Sequence, residues 1–471
     1  MKQYGFWLLT LLAGLGCGPG AETDRGPAPP VATESSPMSV FPVVTGEPTT
    51  VASARLQADH ARLPIGKLTI GAWLPAGLDR YRFGPEDQAL LAGLELNQVE
   101  WLQRAGFDGE TAEMQAMAFC RAHGMRMPVF YEPPGFTTHD KLQNWATRSS
   151  LGAGFADSVG VRVRALRAQW SGMGSLQGYL VGHEDYDAQY YEALAGVVGA
   201  IARVDSLRPA LTVGRIDHYA NGEAFADAFF QRGAQPNIFQ HEHYIFRGNV
   251  PTEGIGLQSK LSFLLGGYDL VARYLEGRWG RWHAIVQVQS ETRGDKVYYR
   301  KPSAAEISVQ AGLALSRGAS GIIYFLYSSG VEEFRNAKGE WVQTRYYEGL
   351  VDREGAPTDN YWAVQALNEQ LHALSPVLAR LYFHGAVAAQ NELLSVADVD
   401  LAFGLFGDGE KSTHLLVVNR RTWQGRTVAL PLKGQVVTDA ITGEVLPLVG
   451  GEAQLSLEAG GFRLLALAGI D

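Results

Sequence analysis

The sequence predicts a (β/α)8 TIM barrel followed by a small antiparallel β-sandwich, and three observations carry that expectation. From residue 66 to about 329, eight short runs rich in β-branched or aromatic residues alternate with longer segments of helical period. Each run stops at a polar or ionisable end. After about residue 382 the helical period vanishes, and alternating strands separated by turn residues take over.

Residues 1 to 17, MKQYGFWLLTLLAGLGC, place Lys2 before an apolar stretch from about Tyr4 to Gly16. That stretch is too short to span a bilayer comfortably and reads as a signal peptide. Because it leads straight into Cys17, it resembles a bacterial lipoprotein signal, with Gly14 where Leu is usual. The resemblance implies that Cys17 becomes the lipidated first residue of a mature protein that is secreted across the inner membrane. The protein is then anchored in the bacterial cell envelope, facing the periplasm or at the cell surface. Cys120, the other cysteine, has no intrachain partner in that case and reads as a small buried apolar residue. Residues 18 to 60 are rich in Pro, Ala, Ser, Thr and Glu, a composition that cannot bury enough apolar surface to fold alone. As a flexible coil this linker spans roughly 35 Å, enough to hold a folded domain clear of a membrane surface.

The barrel is expected over 61 to 381. Its strands are GKLTIGAWLPAG near 66 to 77, LELNQVEWL near 94 to 102, GMRMPVFYEPPG at 124 to 135 and LQGYLVGHEDYD at 176 to 187. Then follow RPALTVGRID at 208 to 217, PNIFQHEHYIF at 236 to 246, RWHAIVQVQSE at 281 to 291 and GASGIIYFLYSS at 318 to 329. Between them, segments such as DAQYYEALAGVVGAIARVDS and SAAEISVQAGLALSRGA repeat their apolar residues at helical spacing. The last helix is DNYWAVQALNEQLHALSPVLARL, near 359 to 381. A doubly wound open sheet is disfavoured because PAGLDRYRFG, after the first strand, contains no Gly-rich phosphate loop. Over 382 to 471, strands such as DLAFGLFG, THLLVVNRR, RTVALPLKG and AQLSLEAGGFRLLAL form the sandwich.

With 471 residues, 46% of them hydrophobic and 19% charged, the chain can bury a large core in more than one domain. A net charge of −9 and the lack of Lys/Arg-rich runs exclude the electrostatic footprint of a nucleic-acid binder. In a barrel of this type, functional groups sit where strands meet the loops that follow them. Those ends supply Glu132, Glu184 and Asp185, Asp217, Glu242 with Tyr244, and Glu291 with Gln289 on the same strand. Trp73, Tyr131, Tyr186, Tyr324 and Tyr327 add aromatic surface there. Acids among aromatic rings suit a carbohydrate, whose hydroxyls need acceptors and whose C–H faces pack on rings.

Glycosidic-bond cleavage needs two carboxyl groups, one protonated to assist the leaving oxygen and one ionised. At this point a family resemblance enters. GYLVGHED, EHY, QVQSE and GASGIIYFLY resemble the strand ends of retaining clan A glycoside hydrolases, especially bacterial β-galactosidase- and agarase-like barrels, and the trailing strands resemble their β-domain. The resemblance covers about residues 66 to 381. It implies Glu184 as acid/base, Glu291 as nucleophile and Tyr244 as the tyrosine that orients the nucleophile. His183 stands where the clan has Asn and is expected to contact substrate in its place. QVQSETRGD also fits a strand that contributes Gln287 or Gln289 to the site, leaving Glu242 as the second carboxylate.

Alternation places Gln240, Glu242 and Tyr244 on one face of strand six and His241 and His243 on the other. Asp187 is expected to start the helix after strand four, with Asp185 in the turn. Glu291 also reads as a loop acid opposite Arg293. The reading calls for no cofactor and no metal. Two alternatives stand beside it: a non-catalytic carbohydrate-binding lipoprotein, and a metal-dependent hydrolase built on the His241/His243 pair.

Overall fold

The computed structural model describes residues 63–468 apart from 75–84, 101–108, 131–153, 336–340, 388–398, 433–435 and the single positions 171, 173, 185, 234 and 410. The expected signal peptide with Cys17, the linker, Tyr131, Glu132 and Asp185 lie outside the described residues. Among the described residues no helix is long and apolar enough to cross a membrane.

The first half of the barrel runs β1 (Thr69–Trp73), α1 (Pro85–Gly93), β2 (Gln98–Glu100), α2 (Gly109–Ala122), β3 (Met127–Phe130), α3 (Gly154–Trp170), β4 (Leu176–His183) and α4 (Tyr191–Val204). It continues through β5 (Ala210–Gly214), α5 (Gly222–Phe229), β6 (Asn237–Glu242), α6 (Gly254–Leu275) and β7 (Gly280–Gln287). A hairpin of β8 (Ser290–Arg293) and β9 (Lys296–Tyr299) precedes α7 (Ala304–Leu315) and β10 (Gly321–Phe325). A second hairpin, β11 (Gly330–Arg335) and β12 (Trp341–Glu348), precedes α8 (Asp359–Leu378).

Eight of these strands form one parallel sheet in the order β2-β1-β10-β7-β6-β5-β4-β3. Its two ends meet where the Val99 amide donates to the Arg126 carbonyl and the Arg126 amide to the Asn97 carbonyl, each at 2.9 Å. The barrel therefore closes. Strands β5 and β10 are buried at every position because helices cover one face and the lumen fills the other. The lumen is packed by Leu180, Leu211, Val213, Ile238, Ile285 and Ile323, with Trp73 and Phe325 at its strand-end rim. Helix starts are built locally. Ser303 caps α7 by accepting from the Glu306 amide, while the Glu306 carboxylate accepts from the Ser303 amide.

The seventh run departs from expectation. It was predicted as one strand over 281 to 291, but β7 ends at Gln287 and Glu291 belongs to β8, in a separate antiparallel sheet ordered β11-β12-β8-β9. Here Glu291 pairs with Tyr347 on one side and Tyr299 on the other. Tertiary pairing between the loops after β7 and β10 creates this sheet, so neither segment announces it alone.

The rest of the chain forms β13 (Tyr382–Val387), β14 (Leu401–Gly407), β15 (Ser412–Asn419), β16 (Arg426–Leu430), β17 (Val436–Asp439), β18 (Leu448–Val449), β19 (Glu452–Leu457) and β20 (Phe462–Ala468). A five-stranded sheet, β13-β14-β15-β20-β17, faces a three-stranded one, β16-β19-β18. Phe403, Leu405, Leu415 and Val417 of the first meet Val428, Leu430 and Leu455 of the second. The opposite face of the larger sheet, with Ala402, Phe406, Leu416 and Val418, joins the core under the barrel helices. The β-sandwich therefore flanks the barrel on its helical side.

Candidate active site

Glu184 sits one residue past β4, and its amide still donates to the Val213 carbonyl of β5 at 2.8 Å. There the chain turns sharply: Glu184 has φ +57°. In that left-handed region the Cβ of an ordinary residue crowds its own carbonyl, at a cost of about 1–2 kcal/mol. The turn delivers the chain to a short 3-10 turn, Ala188–Tyr190, where the Asp187 carboxylate accepts from the Gln189 amide. That turn leads directly into α4, so the strand-to-helix connection is locally encoded and Glu184 is the position that carries its strain.

Glu242 closes β6 and points to the same place. Its carboxyl is in hydrogen-bond contact with that of Glu184. Burial comes first among the influences on Glu242, and the Glu184 charge comes second; together they push its pKa well above the usual carboxylate range. The Arg215 guanidinium and the neighbouring Tyr244 hydroxyl act in the opposite direction and are outweighed. Two carboxyls in contact cannot both ionise cheaply, and burial favours leaving the proton on Glu242.

Tyr186 fixes the other member of the pair. Its hydroxyl accepts from the Arg215 amide at 3.2 Å and donates to Glu184 Oε1 at 3.4 Å. The ring is braced edge-on by His218 and Tyr219. Burial, followed by the Glu242 and Glu184 charges, raises the Tyr186 pKa, so the hydroxyl stays a donor. Tyr186, expected to touch substrate, engages Glu184 through its hydroxyl. His183 Nδ1 lies 3.8 Å from Glu184 Oε2, and its ring meets Trp73 in a T-shaped contact with centroids 6.3 Å apart. Tyr244 stacks on Phe325 and meets Tyr299 edge-on. The structure thus gathers Glu184, Glu242, His183, Tyr186, Tyr244 and Trp73 at the carboxyl ends of the barrel strands.

The other predicted residues are engaged in contacts of their own. Glu291 is bound by Arg293 Nε at 2.5 Å and lies 3.7 Å from Arg345 Nε, inside the antiparallel sheet. Its charge is already compensated, whereas Glu242 faces Glu184. Asp217 forms a two-point ion pair with Arg215, at 2.9 and 2.6 Å. Tyr327, expected at the substrate surface, is fully buried and donates its hydroxyl to the Asp87 carbonyl beneath α1. Tyr324 likewise faces the helices and donates to Asn368 Oδ1 at 2.6 Å. Tyr324 faces outward from β10, and Tyr327, two residues past the end of that strand, is also turned toward the helices. Gln289 is buried between β7 and β8. Gln287 serves the backbone, accepting from the Phe246 amide at 3.0 Å.

The histidines of β6 face α6. A Cβ on Gly267 of that helix would lie 3.0 Å from His241 Nε2 and 3.6 Å from His243 Nδ1. The Ile216 amide donates to His241 Nδ1, which leaves His241 as the neutral Nε2–H tautomer. Among the described residues no group of three or more His, Cys, Asp or Glu side chains could hold a metal ion.

Three residues near the pair escaped the reading of strand ends. Arg215, after β5, is the cation acting on Glu242. Glu100 ends β2 and is buried, and Gln240 Nε2 donates to its Oε1 at 2.6 Å across the lumen. An acid ending the second run, in VEWL, was the signal available for Glu100. Gln240 shares the Glu242 face by the alternation already given, and its bond to Glu100 is what the sequence did not show.

No known family model matches the sequence, and no curated protein matches it either. Similar solved structures exist. A GH27 β-L-arabinopyranosidase from Geobacillus stearothermophilus, in complex with arabinose, is 12% identical with a TM-score of 0.51, over 86% of this chain and 98% of that one. The wild-type form of that enzyme gives a TM-score of 0.50 over 88% of this chain and 98% of the other, again at 12% identity. An α-amylase from Geobacillus thermoleovorans, in complex with acarbose, is 11% identical with a TM-score of 0.50, over 87% of this chain and the whole of that one. The likeness is one of fold, and the chain shares its (β/α)8 barrel and trailing β-domain with glycoside hydrolases of more than one family.

Proposed function

We propose that the protein is a glycoside hydrolase that cleaves an oligo- or polysaccharide with Glu184 and Glu242 as its two carboxyl groups. The observation that carries this reading is the contact between a buried Glu242 and a strained Glu184 at the carboxyl end of the barrel. Burial assigns the roles in the opposite sense to the family resemblance. Glu242 is the proton donor to the leaving oxygen, and Glu184, held by Tyr186, is the ionised partner that attacks or activates water. Contact is closer than the ~5–5.5 Å of retaining sites or the ~6.5–9.5 Å of inverting ones. A sugar entering between the carboxyls must therefore part them. Trp73, His183 and Tyr244 supply ring faces and polar edges for the sugar.

The test is a polysaccharide panel assayed with wild type, Glu184→Gln and Glu242→Gln. Each substitution is expected to lower kcat/KM by at least about a thousandfold on any glycan that the wild type cleaves. Full activity in either variant, with the fold intact by circular dichroism, rejects the pair. Retained glycan affinity without any wild-type hydrolysis would mark the protein as a binding module. We further read it as an envelope lipoprotein. Labelled palmitate should enter the wild type and not Cys17→Ser.

A further inference from the structure

Beneath the Glu184–Glu242 pair lies a third carboxyl that the mechanism does not use. Glu100 of β2 is 1% exposed, as is Gln98, and Gln240 of β6 is completely buried. Glu100 Oε1 accepts from Nε2 of both Gln98 and Gln240. Its Oε2, together with Gln98 Oε1 and Gln240 Oε1, is buried with no hydrogen-bond partner.

Three buried acceptor oxygens around one carboxyl are an unstable arrangement unless a donor joins them. One proton on Glu100 Oε2 supplies such a donor. Losing the proton leaves a carboxylate with two amide N–H groups on Oε1, enough to tolerate the charge without neutralising it. Burial pushes the Glu100 pKa up to about 7, against the pull of those two bonds. The cluster therefore has two accessible protonation states near neutrality.

Among the described residues, burial and the two amide partners are what act on the Glu100 carboxyl, with no cation among them. Trp73 on β1 is its register partner, and Leu211 on β5 and Ile323 on β10 belong with Trp73 to the apolar packing of the lumen. On β7, His283 shares the lumen face of Ile285 by alternation, and burial followed by the Arg281 charge keeps it neutral, with its pKa lowered to about 3. Arg281 lies further down that face and donates to the Pro64 carbonyl. Among the described residues, the titratable groups at the mouth above it are Glu242, the next residue after Gln240 on the same face of β6, with Glu184, Arg215 and Tyr244 acting on it, and His183 3.8 Å from Glu184. Two strand residues cover about 6.6 Å, so the amide bound to Glu100 sits one step below the Glu242 carboxyl.

We propose that Glu100 is a positioning residue for the carboxyl pair: acting across the lumen through Gln240, its negative charge holds the shared proton on Glu242 as pH rises. The proposal rests on reading Glu184 and Glu242 as the working pair. Its consequence is a general acid that stays protonated further into the alkaline range than burial alone allows. A like charge at this range in a protein interior moves the deprotonation of its neighbour by about one pH unit.

The experiment is a pH titration by infrared spectroscopy of the full chain, following the carbonyl stretch of protonated carboxyl groups. Wild type is expected to show two buried carboxylic acids at pH 5 and to lose one near pH 7. Glu100→Gln should remove that band and release the pair's proton about one pH unit earlier. Glu100→Asp, which keeps the charge, should leave the release of the pair's proton close to that of wild type. A single buried carboxylic acid in wild type at pH 5 overturns the proposal, and that result needs no variant to fold. So does release of the pair's proton at the same pH in wild type and Glu100→Gln. On a cleaved substrate, the alkaline limb of kcat/KM should move with the infrared titration while KM stays constant. Absence of any hydrolysis by wild type would reject the hydrolase reading, and the infrared titration would still decide the coupling.

Discussion

Glu184 joins two demands that stability alone would separate, a left-handed backbone and a carboxyl pressed against another carboxyl. Asn tolerates that backbone region far better than Glu and carries no charge. Glu184→Asn is therefore expected to stabilise the protein by about 1 kcal/mol in urea unfolding at neutral pH while abolishing hydrolysis. A stability loss would show that the strain is not stored at this residue. Glu100 gives a pH signature of its own. Its folded pKa is raised from the ordinary 4.5 to about 7, so its ionisation penalty is absent below pH 4.5, grows through that window and is complete above 7. Unfolding free energies should show wild type losing roughly 3 kcal/mol relative to Glu100→Gln between pH 4.5 and 7.5. Parallel pH profiles for the two proteins would contradict the buried acid.

At the scale of elements, the four-stranded antiparallel sheet beside the barrel mouth is held by a buried charge network. Arg293 stacks on Tyr298 at 3.3 Å while binding Glu291, and Arg345 lies 3.7 Å from Glu291 and 4.0 Å from Glu332. The Tyr347 hydroxyl donates to Glu332 Oε2 at 3.0 Å. Removing one partner of a buried ion pair leaves the others uncompensated, at about 3–5 kcal/mol. Arg345→Met should accelerate amide hydrogen exchange in β12 and β8 well before it affects β4–β6. Exchange unchanged in those strands would mean that the network does not hold the sheet. Glu291 thus belongs to the stability of this sheet, and Glu291→Gln should cost stability while sparing the proton held by Glu242.

Across the whole molecule, the sandwich and the barrel are docked through backbone contacts that leave no space for side chains. A Cβ on Gly404 would lie 2.4 Å from the Ser316 carbonyl oxygen, and one on Gly460 2.1 Å from that of Ala305. Arg317 Nη1 donates across the seam to the Phe403 carbonyl, and Gln370 Nε2 to the Phe462 carbonyl. Both faces of the five-stranded sheet are consequently buried, one within the sandwich and one against the helices. Gly404→Val should destabilise the protein by about 1–3 kcal/mol and split a single thermal transition into two, as calorimetry would show. One unsplit transition at the wild-type temperature would mean that the seam does not couple the domains.

Periodicity by itself determined the architecture. Eight apolar runs with helical segments between them can bury their surfaces in few ways, and alternation on β6 already separated Glu242 and Tyr244 from His241 and His243. The abrupt end of LQGYLVGHED marked Glu184 for the same local reason, because a strand that leaves a packed core must turn polar. What tertiary structure decided was which of these ends meet. Glu291 and Glu242 are equally acidic and equally terminal in sequence, but pairing with β12 and β9 carries one into an ion-paired sheet while the register of β6 brings the other onto Glu184. Tyr327 looked like its fellow aromatics, but past the end of β10 it is buried with its hydroxyl on the Asp87 carbonyl of α1. Glu100 and Gln240 lie 140 residues apart and share a hydrogen bond because their strands face each other across the lumen. Local sequence encodes where a strand stops, and barrel closure alone encodes what it stops against.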